Sequence, residues 1–338
     1  MDNKILNLAN KIPVMLLGPP GIGKTAVVTD FAKKLSADLV DIRLSAETPS
    51  SFEGKDYISP ETGTLKKARA WWLQRIDKNK SENRATVLFF DEYTNAPDAL
   101  QQLAYSPFNE RKLHGESFDY KLQNQNSGLY VIAAGNRVED ETGAREMVYA
   151  SKTRVFTVDV EVSAKEWIKW ADKNDINLDV RAFIYSNPDA LIEKPSTGTA
   201  CPREWANLSI ALDSGIDYRK AAHGTIRGEH EAKFCTFYKN RKFCPTIAEI
   251  VAGTANPVKL VHLSGFCAVL AMALNEDENY LQHFTPVHTW IKNQSSECEV
   301  IFIKSVVEIM AGKMIVNEKF REALCDVSQR VGVRYDAF

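Results

Sequence analysis

Short apolar runs that stop abruptly at glycine or acid mark the first half of the chain. Val14-Met15-Leu16-Leu17 ends at Gly18, Thr86 to Phe90 ends at Asp91-Glu92, and Leu129 to Ala134 ends at Gly135-Asn136. Such runs, bounded by turn residues, predict strands buried on both faces. Leu39 to Leu44 mixes apolar and charged residues in near alternation, and Val155 to Val160 reads as a further buried strand. Between them, residues 24–35 (KTAVVTDFAKKL) place Ala26, Val27, Phe31 and Leu35 at helical spacing. A second helix follows Pro97, after the turn at Asn95-Ala96. Strands alternating with helices predict an α/β fold with a parallel sheet covered by helices on both faces.

From Ser163 onward helical patterns dominate: AKEWIKWADKN, REWANLSIALDSG, EHEAKFCTFYKN, GFCAVLAMALN and CEVIFIKSVVEIMAG. The pattern predicts an α/β domain over residues 1–160 and an all-α domain over 161–256. A further break at Asn256-Pro257 leaves 257–338 as an added helical unit.

Composition narrows the class without naming a function. The 338 residues are 44% hydrophobic and 25% charged, ordinary for a globular protein, with a net charge of -2. No global field calls for nucleic acid or an anionic membrane. Six scattered cysteines without CxxC pairs point to reduced thiols. No apolar stretch reaches the roughly 20 residues of a membrane span, and the N-terminus has no signal-peptide core, so the expected location is cytoplasmic.

Residues 18–25, GPPGIGKT, fit G-x-x-x-x-G-K-T, with a strand before and a helix after. Gly18, Pro19, Pro20, Gly21, Ile22 and Gly23 form a loop whose backbone N–H groups can surround a phosphate. The following helix N-terminus adds its positive end. Lys24 would reach the outer phosphates of ATP, and Thr25 would offer a hydroxyl to Mg²⁺. The competing reading is a glycine-rich turn. In VLFFDE, Asp91 can hold the Mg²⁺ shell and Glu92 can orient the attacking water. Without the loop motif, two acids after an apolar run would be an ordinary strand end.

Asn136 ends the next buried strand, so in a parallel sheet it shares the ligand-binding edge with Asp91 and Glu92. Its amide can bond the water or the γ-phosphate without adding charge; alternatively it is a turn-former after Gly135. A charged loop follows, with Arg137, Glu139, Asp140, Glu141, Arg145 and Glu146. Arg154, before the last strand, reads either as a solvated base or as an arginine finger for a neighbouring subunit's γ-phosphate. Arg203, beside the helix-starting Pro202, could reach phosphate from the helical domain, or it is a surface arginine.

The order GPPGIGKT, VLFFDE, AAGN, Arg154-Val155-Phe156 and Pro202-Arg203 resembles the AAA+ ATPase superfamily. YTNAPDALQQ, NERKLHGESF, GNRVEDETGA and EWIKWADKN resemble its MoxR branch, over roughly residues 10–255. The resemblance implies a P-loop NTPase domain followed by an all-α lid. Gly18 to Thr25 would be Walker A, Asp91 and Glu92 Walker B, Asn136 sensor 1, Arg154 the finger and Arg203 sensor 2. Arg145 and Lys152 remain alternative fingers. It also implies a homo-oligomeric ring, usually a hexamer, that hydrolyses ATP and remodels or activates a protein client. A partner bearing a von Willebrand factor A domain is implied too. The stretch 52–73 fits the place of a hairpin-bearing insert that faces the client.

Two other classes compete: a nucleotide-gated scaffold and a nucleic-acid motor of a neighbouring branch. The basic and aromatic residues of 217–245 (Arg219, Lys220, Arg227, Lys233, Lys239, Arg241 and Lys242, with Phe234, Phe237 and Tyr238) could face nucleic acid. Asp217, Glu229 and Glu231 dilute them, and Phe234 and Phe237 fit a buried helix stripe better. His262 and Cys267 are wrongly spaced to share a helix face, which argues against zinc.

Overall fold

The computed structural model describes residues 3–124, 126–140, 143–147, 149–192, 200–226, 228–257 and 260–333. Glu141 and Arg227 lie outside the described residues, as does the side chain of His262. The chain divides into two compact units, Met1–Glu161 and Val162–Phe338.

The first unit is a five-stranded sheet. Its strands are β1 (Val14–Leu17), β2 (Asp38–Arg43), β3 (Thr86–Asp91), β4 (Leu129–Gly135) and β5 (Phe156–Asp159). They lie in the order β2-β3-β4-β1-β5, every pair parallel. The pleat sends alternate residues to opposite faces. Val14, Leu16, Val87, Phe89, Ile132 and Ala134 pack with Val28, Phe31 and Ala32 of helix α1 (Lys24–Lys34). Met15, Val40, Ile42, Leu88, Phe90, Val131 and Ala133 face the other way. They pack with Trp72 and Ile76 of α2 (Trp71–Ser81) and Leu100 and Phe108 of α3 (Asp98–Glu110). Every residue of β3 is buried, because it has a neighbour strand on each side and a helix on each face.

One expected strand differs. Val155 to Val160 reads from sequence as buried, but β5 is the sheet edge, and Phe156 at its start is 41% exposed. An edge strand has a neighbour on one side only, which apolar content alone does not reveal.

The 52–73 stretch holds the end of a short helix (Pro49–Glu53), a two-stranded hairpin (Asp56–Ile58 with Leu65–Lys67) and the start of α2. Trp72 is fully buried, and its Nε1 donates to Phe52 O at 2.8 Å, tying that helix to α2. A second hairpin, Lys112–Leu113 with Glu116–Ser117, follows α3.

The second unit is helical. Its longer helices are α4 (Ala164–Lys173), α5 (Leu178–Ser186), α6 (Pro202–Asp213), α7 (Tyr218–Thr225), α8 (Glu229–Arg241), α9 (Leu260–Glu276), α10 (Tyr280–Gln294), α11 (Ser296–Ile309) and α12 (Glu318–Arg330). One apolar cluster joins Trp167, Phe183, Trp205, Leu208 and Phe234. Another joins the buried residues of α9 with Phe284, Phe302, Val306 and Leu324. Helix α5 serves both: Phe183 enters the first and Ala182 the second. Its buried Arg181 donates to Asp172 of α4 at 2.6 Å and also pairs with Glu276 at the end of α9. Both clusters lie within the second compact unit. Phe234 is fully buried, so the aromatic stripe of α8 faces a core. Among the described residues, no helix is long and apolar enough to cross a membrane.

Candidate active site

The phosphate-binding motif fills the turn between β1 and α1. Gly23 precedes the helix with φ at 93°, a left-handed backbone that favours glycine. A Cβ there would meet nothing within 4 Å, so backbone twist rather than space is the constraint. Lys24 Nζ donates to Gly18 O at 2.5 Å, Pro19 O at 2.8 Å and Asn136 Oδ1 at 2.9 Å. Thr25 Oγ1 donates to Asp91 Oδ2 at 2.8 Å. Residues from the β1 loop and from the ends of β3 and β4 therefore meet at the C-terminal edge of the sheet, as the topology requires. Asp91 is buried; Asp41, one strand over, carries a carboxyl partly removed from water. That desolvation first, and the Asp91 charge second, raise the Asp41 pKa.

Glu92 follows the strand with φ at 55°, uncommon for a residue with a side chain. The turn aims its carboxylate sideways, toward the end of β2. There Ser45 Oγ donates to Glu92 Oε2, and Arg43 Nε lies 3.9 Å from Oε1. Arg43 and Glu92 are 62% and 45% exposed at the side chain, so their ion pair is weak. Nothing in the sequence points to Arg43 and Ser45. Only the pairing of β2 with β3, which sets Arg43 opposite Asp91, brings them to Glu92.

Asn136 is held through its backbone and its side chain. Its N–H donates to Thr94 Oγ1, and its C=O accepts from the same hydroxyl, both at 2.9 Å. Its Nδ2 donates to Asn95 Oδ1 at 3.0 Å. Gly135 is required by close approach: a Cβ there would sit 2.4 Å from Thr94 Oγ1. Tyr93, in the same turn, is buried, and burial pushes its phenol up to about 12. Thr94 and Asn95 read in the sequence only as turn residues, so their part in the site is a finding of the structure.

Described residues of the charged loop are tied to neighbouring groups. Arg137 N–H donates to buried Asp140 at 2.8 Å, and Arg145 N–H donates to Thr94 O at 2.8 Å. The Arg145 guanidinium pairs with Asp98. Arg154 pairs with Glu110 at 3.0 Å, lies over the Tyr105 ring at 5.7 Å and is 51% exposed at the side chain. It stands before Phe156, which pairs with Val14, whereas Leu17 and Asp159 pair at the end next to the phosphate loop. Arg154 lies in the turn before β5, at the end of the strand opposite the phosphate loop. Arg203 is exposed in the first turn of α6, in the other unit, and makes no ion pair among the described residues.

Residues 13–155 match the family described as AAA domain (dynein-related subfamily). The phosphate-loop motif on this parallel sheet is the AAA+ P-loop NTPase fold. The chain is 31% identical over 96 residues, 26% of its length, to the chaperone protein ClpB of Corynebacterium glutamicum. The ClpB of Corynebacterium efficiens matches to the same extent. The match covers 10% of that chaperone, so the chain spans about a tenth of the length of the curated relatives it matches. Among solved structures, a RuvB variant of Thermotoga maritima is 17% identical, with 83% of this chain and 86% of that one covered and a TM-score of 0.36. A second RuvB variant gives 18%, 84%, 87% and 0.34.

Proposed function

We propose that this chain is an ATP-hydrolysing AAA+ ring motor of the MoxR type that remodels or activates a protein client. The reading rests on one observation: Lys24 meets Asn136, and Thr25 meets Asp91, at one sheet edge. The loop Gly18 to Gly23 would wrap the phosphates, with N–H groups from Gly21, Ile22 and Gly23, and Lys24 would exchange its present acceptors for phosphate oxygens. The Thr25 hydroxyl and the Asp91 carboxylate are hard oxygen donors, 2.8 Å apart, and fit Mg²⁺, which neutralises phosphate charge when bound. Glu92 would leave Ser45 and Arg43 to orient the attacking water.

Arg154 stands in the turn before β5, at the strand end away from its own phosphate loop, which supports a role on a neighbour's γ-phosphate. A finger of that kind needs a closed ring, and a hexamer is the proposed form. Arg203 would approach phosphate from a lid formed by residues 161–256, with 257–338 as an extension. The 56–67 hairpin exposes Tyr57, Ile58 and Leu65 and is the proposed client contact. The ClpB relatives are chaperones, in keeping with a protein client. A partner with a von Willebrand factor A domain and a cytoplasmic location complete the reading.

The test is steady-state turnover in mixed rings. Arg154→Ala and Glu92→Gln subunits should each bind ATP and hydrolyse it poorly, and mixing them should restore part of the activity. No recovery on mixing would remove the trans role of Arg154. Full activity in Lys24→Ala would remove the ATPase reading.

A further inference from the structure

Both ends of the Asn136 amide are committed. Oδ1 accepts from Lys24 Nζ at 2.9 Å, and Nδ2 donates to Asn95 Oδ1 at 3.0 Å. The oxygen therefore faces the phosphate loop. A γ-phosphate oxygen offers only lone pairs, and an amide oxygen cannot donate to it. To bond a γ-phosphate oxygen, the amide must present its nitrogen instead.

The backbone cannot supply that change. The N–H and C=O of Asn136 are both bonded to the Thr94 hydroxyl, which is buried against Gly135. The turn carrying Asn95 is also held, because Asn95 N–H donates to Glu92 O at 3.0 Å and Thr94 O accepts from Arg145 N–H at 2.8 Å. What remains is rotation of the amide about its last side-chain bond. After that rotation Oδ1 of Asn136 faces Asn95. The contact survives only if Asn95 rotates too and donates its own Nδ2. Asparagine can do so because one side chain carries both acceptor and donors.

We infer that Asn95 is a positioning residue and that Asn95 and Asn136 form a two-amide relay. Without nucleotide, the hydrogen bonds run from Lys24 to Asn136 to Asn95. With ATP, they run from Asn95 to Asn136 to the γ-phosphate. The pair reverses its polarity and keeps its mutual hydrogen bond. This inference rests on the ATPase reading of the same site.

Two near-isosteric variants of the full chain test it. Asn95→Asp keeps the turn chemistry and can accept, but its carboxylate cannot donate. Asn95→Leu does neither and carries no charge. The relay requires kcat to fall about tenfold or more in both, the scale of one lost hydrogen bond. ATP affinity, measured by calorimetry in the Glu92→Gln background, should stay within about threefold for Asn95→Leu. In an Asn136→Ala background, Asn95→Leu should cost nothing further in kcat. Wild-type turnover in Asn95→Asp would reveal a turn-former and overturn the relay. Loss in Asn95→Asp with normal Asn95→Leu would reveal a charge effect and overturn it as well. So would additive losses in the double variant. A wild-type chain that binds ATP without hydrolysing it would overturn the ATPase reading, and the relay with it.

Discussion

In the first unit the polar side chains proposed to carry the chemistry gather at the end of a buried sheet; in the second, apolar side chains fill two clusters and the charged groups mostly lie outside them. The contrast has a physical root. A parallel sheet ends all its strands at one edge, so β3, β4 and the β1 loop bring Asp91, Asn136 and Lys24 within hydrogen-bond range. Packed helices present no such shared edge. Arg181 shows how the second unit uses a buried charge: it joins α4, α5 and α9 through Asp172 and Glu276, a structural use rather than a chemical one. Substitutions should therefore separate, with chemistry lost in one unit and stability in the other.

The largest effect expected is on stability. Phe302, fully buried among Phe284 and its neighbours, leaves a cavity on truncation, and Phe302→Ala should cost roughly 3–5 kcal/mol in denaturant unfolding. A loss below about 1 kcal/mol would mean that this core is loosely packed.

Lys24→Ala should act in the opposite way. Turnover should fall on the order of a hundredfold or more, while the unfolding midpoint stays close to the wild type. A large fall in midpoint would show that the acceptors held by Lys24 matter for the fold and blur the contrast.

Gly135→Ala bridges the two kinds of effect. The added methyl must displace the Thr94 hydroxyl, costing roughly 1–3 kcal/mol in stability and also lowering turnover through Asn136. Stability lost with kcat intact would separate Thr94 from the site.

The smallest effect is electrostatic and depends on pH. The hydrogen bond from Arg75 holds the Asp38 carboxyl below its ordinary 3.8, against the opposing effect of burial. A depressed folded pKa contributes stability above the unfolded value and loses it as pH falls through the folded one. Arg75→Ala should therefore cost about 1 kcal/mol at neutral pH, and the difference should shrink as the pH falls below 3.8. Thermal melts from about pH 7 to about pH 2.5 would show a constant gap if the contact were only steric.

Parts of the fold that depend on local pattern were open to reading. Central strands buried on both faces give continuous apolar runs, and Leu129 to Ala134 is one. Helix α5 carries no such signal. Val180 to Ile184 are all buried, so no polar face sets a period, and an arginine in their midst disguises a core helix. Pro286 inside α10 similarly masks a helix of 15 residues.

The sequence alone determined the phosphate-loop motif, the acids at the end of β3 and the amide after β4, because each depends on a local spacing or a strand end. Tertiary structure decided which groups support them. Ser45 reaches Glu92 because β2 lies beside β3, and Thr94 reaches Asn136 because Gly135 leaves room for it. It also decided that β5 is an edge and that α5 is shared by two cores. Hydrogen bonds between residues so far apart in the chain depend on strand order and close approach, and neither leaves a periodic trace along the sequence.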